Sequence, residues 1–276
     1  MKPIKKCDRR QVTRDTDGNL NGRLFPRRRS RVTRQLAAFT LIELLTVIAI
    51  IAILAAILLP ALGYAKTAAK KTQAKLQISD LATAIQKYDS DYSRMPVSTA
   101  DQLLAVTNDF TFGGVFQTPT GPTTIGNVTT NSDVIAILMD LTNFPDGAPT
   151  VNANHVKNPQ RTLYLNAKRV ADTATWPGVG PDLVYRDPWG DPYVISMDVN
   201  YDGECRDAFY SRSAVSKLDG STGYFGLVDP TDTGGNDNNF EYHGKVMVWS
   251  AGPDKKVDPG AKANQGVNKD NILSWQ

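Results

Sequence analysis

Two histidines and two cysteines in 276 residues are too few for most metal and acid–base chemistry. Zinc sites need clusters of these residues at short spacing, and general acid–base schemes most often set a histidine beside a partner. His155 and His243 stand in no recognisable pairing. Cys205 has no base near it in sequence and reads as a free or buried thiol, while Cys7 lies far away in a basic N-terminal stretch. A phosphate-binding glycine loop and a nucleophile elbow are missing as well. These absences disfavour an enzyme. Long apolar runs are also absent, with one exception around which the chain is organised.

The exception is residues 37–60, AAFTLIELLTVIAIIAILAAILLP, where only Thr40, Glu43 and Thr46 interrupt the apolar residues between Phe39 and Leu59. As a helix this run extends about 31 Å, one bilayer core. An ordinary single-span anchor is the simplest reading. Glu43 speaks for more, because an ionisable side chain inside such a run is costly to insert and marks a functional position.

Residues 1–38 hold twelve of the 31 basic residues and three of the 28 acidic ones, a net charge of +9, so the remainder carries −6. The mild basicity of the whole chain belongs to this stretch, which is aperiodic and expected to be disordered. A basic run of this kind could bind nucleic acid. Beside a membrane span, the preference for positive charge on the cytoplasmic side explains it more simply, with no nucleic-acid partner. A secretory signal would place its small-residue cleavage site after a shorter apolar core, whereas here the small residues come first.

Ala38-Phe39-Thr40-Leu41-Ile42-Glu43 resembles the cleavage and methylation signature of prepilins and type II secretion pseudopilins. The resemblance covers the whole span and its closing Pro60, with Ala38 standing where the family has glycine. It implies that a prepilin peptidase cuts between Ala38 and Phe39 and methylates the new amine of Phe39. It also implies that Glu43 compensates a neighbouring subunit's amine when subunits polymerise.

Beyond Pro60, Leu62, Ala65, Ala69, Leu76, Ala84, Ile85, Tyr88 and Tyr92 fall near helical spacing, with Lys66, Lys70, Lys71 and Lys75 on a solvated face or against lipid headgroups. The helix should stop before Pro96. Residues 97–130 read as a long loop, rich in Thr, Gly and Pro. Asn131-Ser132 should cap a short helix with Val134, Ile135, Leu138 and Leu141 on its apolar face, and Thr162 to Leu165 looks strand-like. Asp187-Pro188-Trp189-Gly190-Asp191-Pro192 makes a rigid turn with Trp189 as a core plug, followed by a strand from Tyr193 to Met197. A further strand, Lys245 to Trp249, runs into Ser250-Ala251-Gly252-Pro253-Asp254, and the chain closes on residues 269–275, KDNILSW.

These three segments, in this order, are similar to the G-type major pseudopilin. That resemblance implies an α+β, pilin-like fold: a long N-terminal helix, transmembrane over 39–60 and amphipathic over 61–95, packed on a small antiparallel sheet with extended loops in a domain over 96–276. It implies a calcium ion in the last loop, on Asp254 and Asp270 with Ser250 as a possible third ligand. An Asp-capped turn and a solvated tail is the other reading. Calcium takes six to eight oxygens, so backbone carbonyls must complete the set.

A separate string, Asp198-Val199-Asn200-Tyr201-Asp202-Gly203, has alternate oxygens spaced as in calcium loops, so Asp198, Asn200 and Asp202 form a second metal candidate. A tight Asp-Gly hairpin accounts for it too. Residues 229–239, DPTDTGGNDNN, read most simply as a mobile loop. The functional expectation is a structural subunit of a type II secretion pseudopilus, anchored in the inner membrane with its domain in the periplasm. Its partners would be its own copies, the prepilin peptidase, minor pseudopilins and the inner-membrane secretion platform. A type IV pilin of a surface fibre, and a membrane-anchored binding module or hydrolase that borrowed the leader, are the alternatives.

Overall fold

The computed structural model describes residues 39–105, 109–171, 176–231 and 237–276; the expectations for the basic stretch, Cys7 and Ala38 lie outside these. The chain divides into two units, Met1–Ile53 and Leu54–Gln276. Helix α1, Leu41–Tyr92, starts in the first and ends in the second, with Pro60 inside it. It is long and apolar enough to cross a membrane, and its side chains from Phe39 to Leu62 are almost all exposed.

Within the second unit, α1 packs through Ala74, Ile78, Leu81, the adjacent pair Ala84 and Ile85, and Tyr88, steps of three or four residues that keep to one helix face. The expected face was only half right. Leu62 and Leu76 are more than half exposed, and packing begins at Ala74, well beyond Pro60. The helix stops at Tyr92, ahead of Pro96, as the proline requires.

After α1 come α2 (Thr99–Leu104), β1 (Phe110–Phe112), β2 (Gly114–Thr118), β3 (Gly121–Ile125) and α3 (Ser132–Leu138). The stretch 97–130 is therefore not simply a loop. Its β2–β3 pair is a hairpin closing on Thr118 and Gly121, and Gly121 takes a φ of 129° that other residues avoid. Next are β4 (Gly178–Val179), β5 (Tyr185–Arg186), β6 (Val194–Met197), β7 (Glu204–Cys205), α4 (Ser213–Ser216), β8 (Lys217–Asp219), β9 (Thr222–Gly223), β10 (Tyr242–His243), β11 (Val246–Ser250) and β12 (Ile272–Leu273). Residues 162–165 form no strand; Tyr164 and Leu165 donate their backbone N–H groups to Leu138 O.

The central sheet is antiparallel in the order β1-β6-β11-β12, with Phe110 opposite Met197, Val248 opposite Ile195 and Trp249 opposite Leu273. Strand residues alternate between two apolar cores. Phe110, Phe112, Ile195, Met197, Val246 and Val248 join α1 and α3, while Val194, Met247, Trp249 and Leu273 meet Phe116, Phe209, Tyr210 and Phe240 on the other face. That double burial is why β6 and β11 read as unbroken apolar runs. Beyond β1, the segment Asn127–Val128 closes the sheet's edge: Asn127 N–H donates to Thr111 O, Gly113 N–H to Val128 O, and the Asn127 side chain accepts from Thr111 N–H.

Two residues play parts other than those expected. Asn131 precedes α3 but makes no side-chain cap; its buried amide donates to Tyr185 O and Tyr193 O and accepts from Tyr185 N–H, tying α3 to β5 and to the residue just ahead of β6. Trp189 packs against the first core but is only partly buried, and the plug of the second core is Trp249, with Phe116, Phe209 and Tyr210 rings 5.3–5.8 Å from its centroid.

Candidate functional site

The first candidate is the start of α1. Thr40 and Glu43 form a reciprocal cap: Thr40 N–H and Oγ1 donate to Glu43 Oε2 at 2.8 and 2.7 Å, and Glu43 N–H donates to Thr40 Oγ1 at 3.3 Å. A helix has free N–H groups at its first turn, and this Thr-x-x-Glu pattern satisfies two of them. Both bonds to the carboxylate fall on Oε2, so Oε1 remains for another donor. Phe39, just ahead of the cap, is exposed.

The second candidate is the loop after β11. Asp187 organises it, although the prolines around it drew attention first. Its Oδ1 accepts from the backbone N–H groups of Trp189, Gly190 and Asp191 at 2.8–3.0 Å, and its Oδ2 accepts from Ser250 Oγ at 2.5 Å. Ser250 is fully buried and also receives Gly252 N–H, so its hydroxyl is engaged within the protein and is not presented to a cation. Gly252 is required by geometry: its φ is 76°, and a Cβ there would stand 2.4 Å from Asp270 O.

Asp254 and Asp270 lie within electrostatic reach of one another. Burial, then the charge of Asp254, raises the Asp270 carboxyl above its ordinary value. Asp254 Oδ1 accepts from Lys256 N–H. The residue that sequence reasoning missed is Asp191: burial, Asp187 and Asp254 push its carboxyl up to about 6, and its Oδ2 is buried without a hydrogen-bond partner. The nearest cation, Lys255 Nζ, is 3.9 Å from Asp191 Oδ1. An acidic group repelled by its neighbours and left with an orphaned oxygen suits a hard cation. Among the described residues no three His, Cys, Asp or Glu side chains converge tightly enough to enclose a metal by themselves.

The third candidate, the string 198–203, is not a tight hairpin. β6 pairs with β1 and β11, while β7 pairs with β10, so the string joins two sheets. Asp198 is buried, Asn200 is half-buried and Asp202 is exposed. Of the loop 229–239, residues 232–236 lie outside the described residues; Asp229 is buried and accepts from Thr231.

Both histidines meet carboxylates that sequence spacing did not indicate, His155 with Asp140 at 2.7 Å and His243 with Glu204 at 2.5 Å. Cys205 is fully buried, and burial with the charges of Asp109, Asp207 and Asp198 pushes its thiol pKa up, which keeps it protonated and unreactive.

Residues 34–59 match the family model described as the prokaryotic N-terminal methylation motif. The match spans the junction and the apolar part of α1 and stops short of the domain. No curated protein and no solved structure matches the chain.

Proposed function

We propose, with the N-terminal methylation motif over residues 34–59 as the premise, that this chain is a pseudopilin: a structural, non-catalytic subunit of a type II secretion filament. A prepilin peptidase cuts between Ala38 and Phe39 and methylates the Phe39 amine. The apolar half of α1 holds the subunit in the inner membrane, with the basic leader cytoplasmic and the domain periplasmic. Copies then polymerise through that helix, in company with minor pseudopilins and the inner-membrane secretion platform. The observation that carries the reading is the coincidence of the motif with Glu43, an acidic group in an otherwise apolar, exposed helix.

Mass spectrometry of membrane-extracted protein is expected to find a mature chain beginning at Phe39 and one methyl heavier than the bare sequence. A terminus elsewhere, or an uncut leader in the presence of active peptidase, overturns the reading. The turn 187–192 and the tail 254–270 favour the secretion filament, and within it the G-type subunit, over a type IV pilin of a surface fibre.

The same reading includes a calcium ion on Asp254 and Asp270. Asp191 supports it by its unpartnered oxygen, and Ser250 does not contribute its hydroxyl. The ion would staple the tail 258–271, which has few apolar residues to hold it. Binding only to the folded state adds about 2.7 kcal/mol at a hundredfold excess over the dissociation constant. The full chain in detergent is expected to melt higher in calcium than in chelator, and Asp254→Ala to reduce that difference by the share that the tail site contributes.

A further inference from the structure

A different pair of carboxylates stands at the end of the central sheet. β1 and β6 pair with Phe110 opposite Met197, so the same register carried one residue further sets Asp109 opposite Asp198. Side chains so placed have Cβ atoms about 4.5–5.5 Å apart on one face of the sheet, and like charges there repel. Each carboxylate has one oxygen satisfied: Asp109 Oδ2 accepts from Arg206 N–H at 2.5 Å and Asp198 Oδ2 from Gly203 N–H at 3.0 Å.

The other oxygen of each is not. Asp109 Oδ1 and Asp198 Oδ1 are both buried without a hydrogen-bond partner, and Asp198 as a whole is 0% exposed. A buried carboxylate oxygen that bonds to nothing is costly unless a ligand meets it. The basic groups nearby have other partners: the Arg206 guanidinium pairs with Glu241, leaving its Nε unpartnered, Lys245 Nζ pairs with Asp89 at 2.8 Å, and the His243 ring meets Glu204.

We propose that Asp109 and Asp198, together with the loop 198–203, bind one hard divalent cation of the calcium class. The two orphaned oxygens form the floor of the site. Asp202 is exposed, with its carboxylate resting on Asn200 Nδ2 and Glu204 N–H, and would leave these partners to add a third carboxylate. Asn200 Oδ1 and loop carbonyls extend the oxygen set toward the six to eight that calcium takes in flexible geometry. The all-oxygen set is that of a hard cation, whereas soft metals take thiolate and imidazole ligands. The loop also holds the exit of α1, since Tyr201 OH accepts from Met95 N–H at 2.8 Å, so the cation fastens helix exit and sheet together.

This site is independent of the C-terminal tail, and the test separates them. The full chain in detergent, stripped with chelator, is titrated with calcium ions by calorimetry in an Asp254→Asn/Asp270→Asn background. One calcium per chain is expected to remain. In that background Asp109→Asn and, separately, the exposed Asp202→Asn are each expected to weaken it about tenfold or more, since ligand charge tunes such sites. Asp109→Asn removes one of two repelling charges, so its melting temperature in chelator is expected to be no lower than its parent's, which excludes misfolding as the cause. Absence of calcium binding in the background chain while it retains its parent's fold overturns the proposal. So does unchanged affinity in both the Asp109→Asn and Asp202→Asn chains.

Discussion

Glu43→Ala is expected to yield a chain that inserts and loses its leader normally yet forms no filaments visible by electron microscopy. The proposed cut would leave a positive amine on Phe39 at the edge of an apolar helix. When such helices pack side by side, an amine or a carboxylate without a partner is costly, and the two together relieve each other. In the isolated chain Glu43 closes the helix on Thr40 through Oε2 alone, so Oε1 can meet a neighbour's amine without undoing the cap. Glu43→Gln separates the two tasks. Its side-chain carbonyl can still accept from Thr40 N–H, but it has no charge to offer, and it is expected to fail in assembly as the alanine variant does. Filaments from the glutamine chain would assign Glu43 to capping alone.

Asp207→Ala is expected to lower the melting temperature of the domain by roughly 10–20 °C, followed by near-ultraviolet circular dichroism of the detergent-solubilised chain. Asp207 is completely buried. Its Oδ1 accepts from Phe209 and Tyr210 N–H at 2.9 and 2.8 Å, and its Oδ2 from Ser196 Oγ at 2.6 Å and Trp249 Nε1 at 3.0 Å. One carboxylate thus joins β6, β11 and the turn that presents two aromatic rings to Trp249. Its removal leaves three buried donors unsatisfied, Phe209 N–H, Tyr210 N–H and Trp249 Nε1, while Ser196 Oγ keeps Thr111 Oγ1, at a cost of about 5 kcal/mol, within the range of a whole domain's stability. Asp207→Asn keeps an acceptor for the two amides and sets an N–H group against Trp249 Nε1, so its loss should be intermediate.

What could be read from the sequence follows from the range of the interactions involved. The apolar span, the stop before Pro96 and the strands at β6 and β11 rest on composition and local sterics, and the structure has them where those rules put them. The buried face of α1 was misjudged above Ala74 because helical spacing identifies a stripe without saying how much of it meets a partner. Trp189 and Trp249 could not be ranked by local pattern, since the second core that Trp249 fills is assembled from residues 116 to 273. Asp187 and Asp207 look like ordinary turn aspartates. Their weight comes from Ser250 and Trp249, 63 and 42 residues away. Asp191 and Asp109 escaped notice for the same reason: an orphaned oxygen is a property of the packed interior, and no spacing rule announces it.

The way the sheet ends bears on how copies of this chain can meet. On one side Asn127 and Val128 occupy the hydrogen-bonding groups of β1, and on the other β12 offers only two residues, followed by Ser274 N–H donating to Val248 O. Along the central sheet, among the described residues, a strand from a neighbour therefore finds no long row of vacant backbone groups on which to template itself. Domains crowded along a fibre would touch through side chains without knitting their sheets, and a subunit held in that way can still be withdrawn intact.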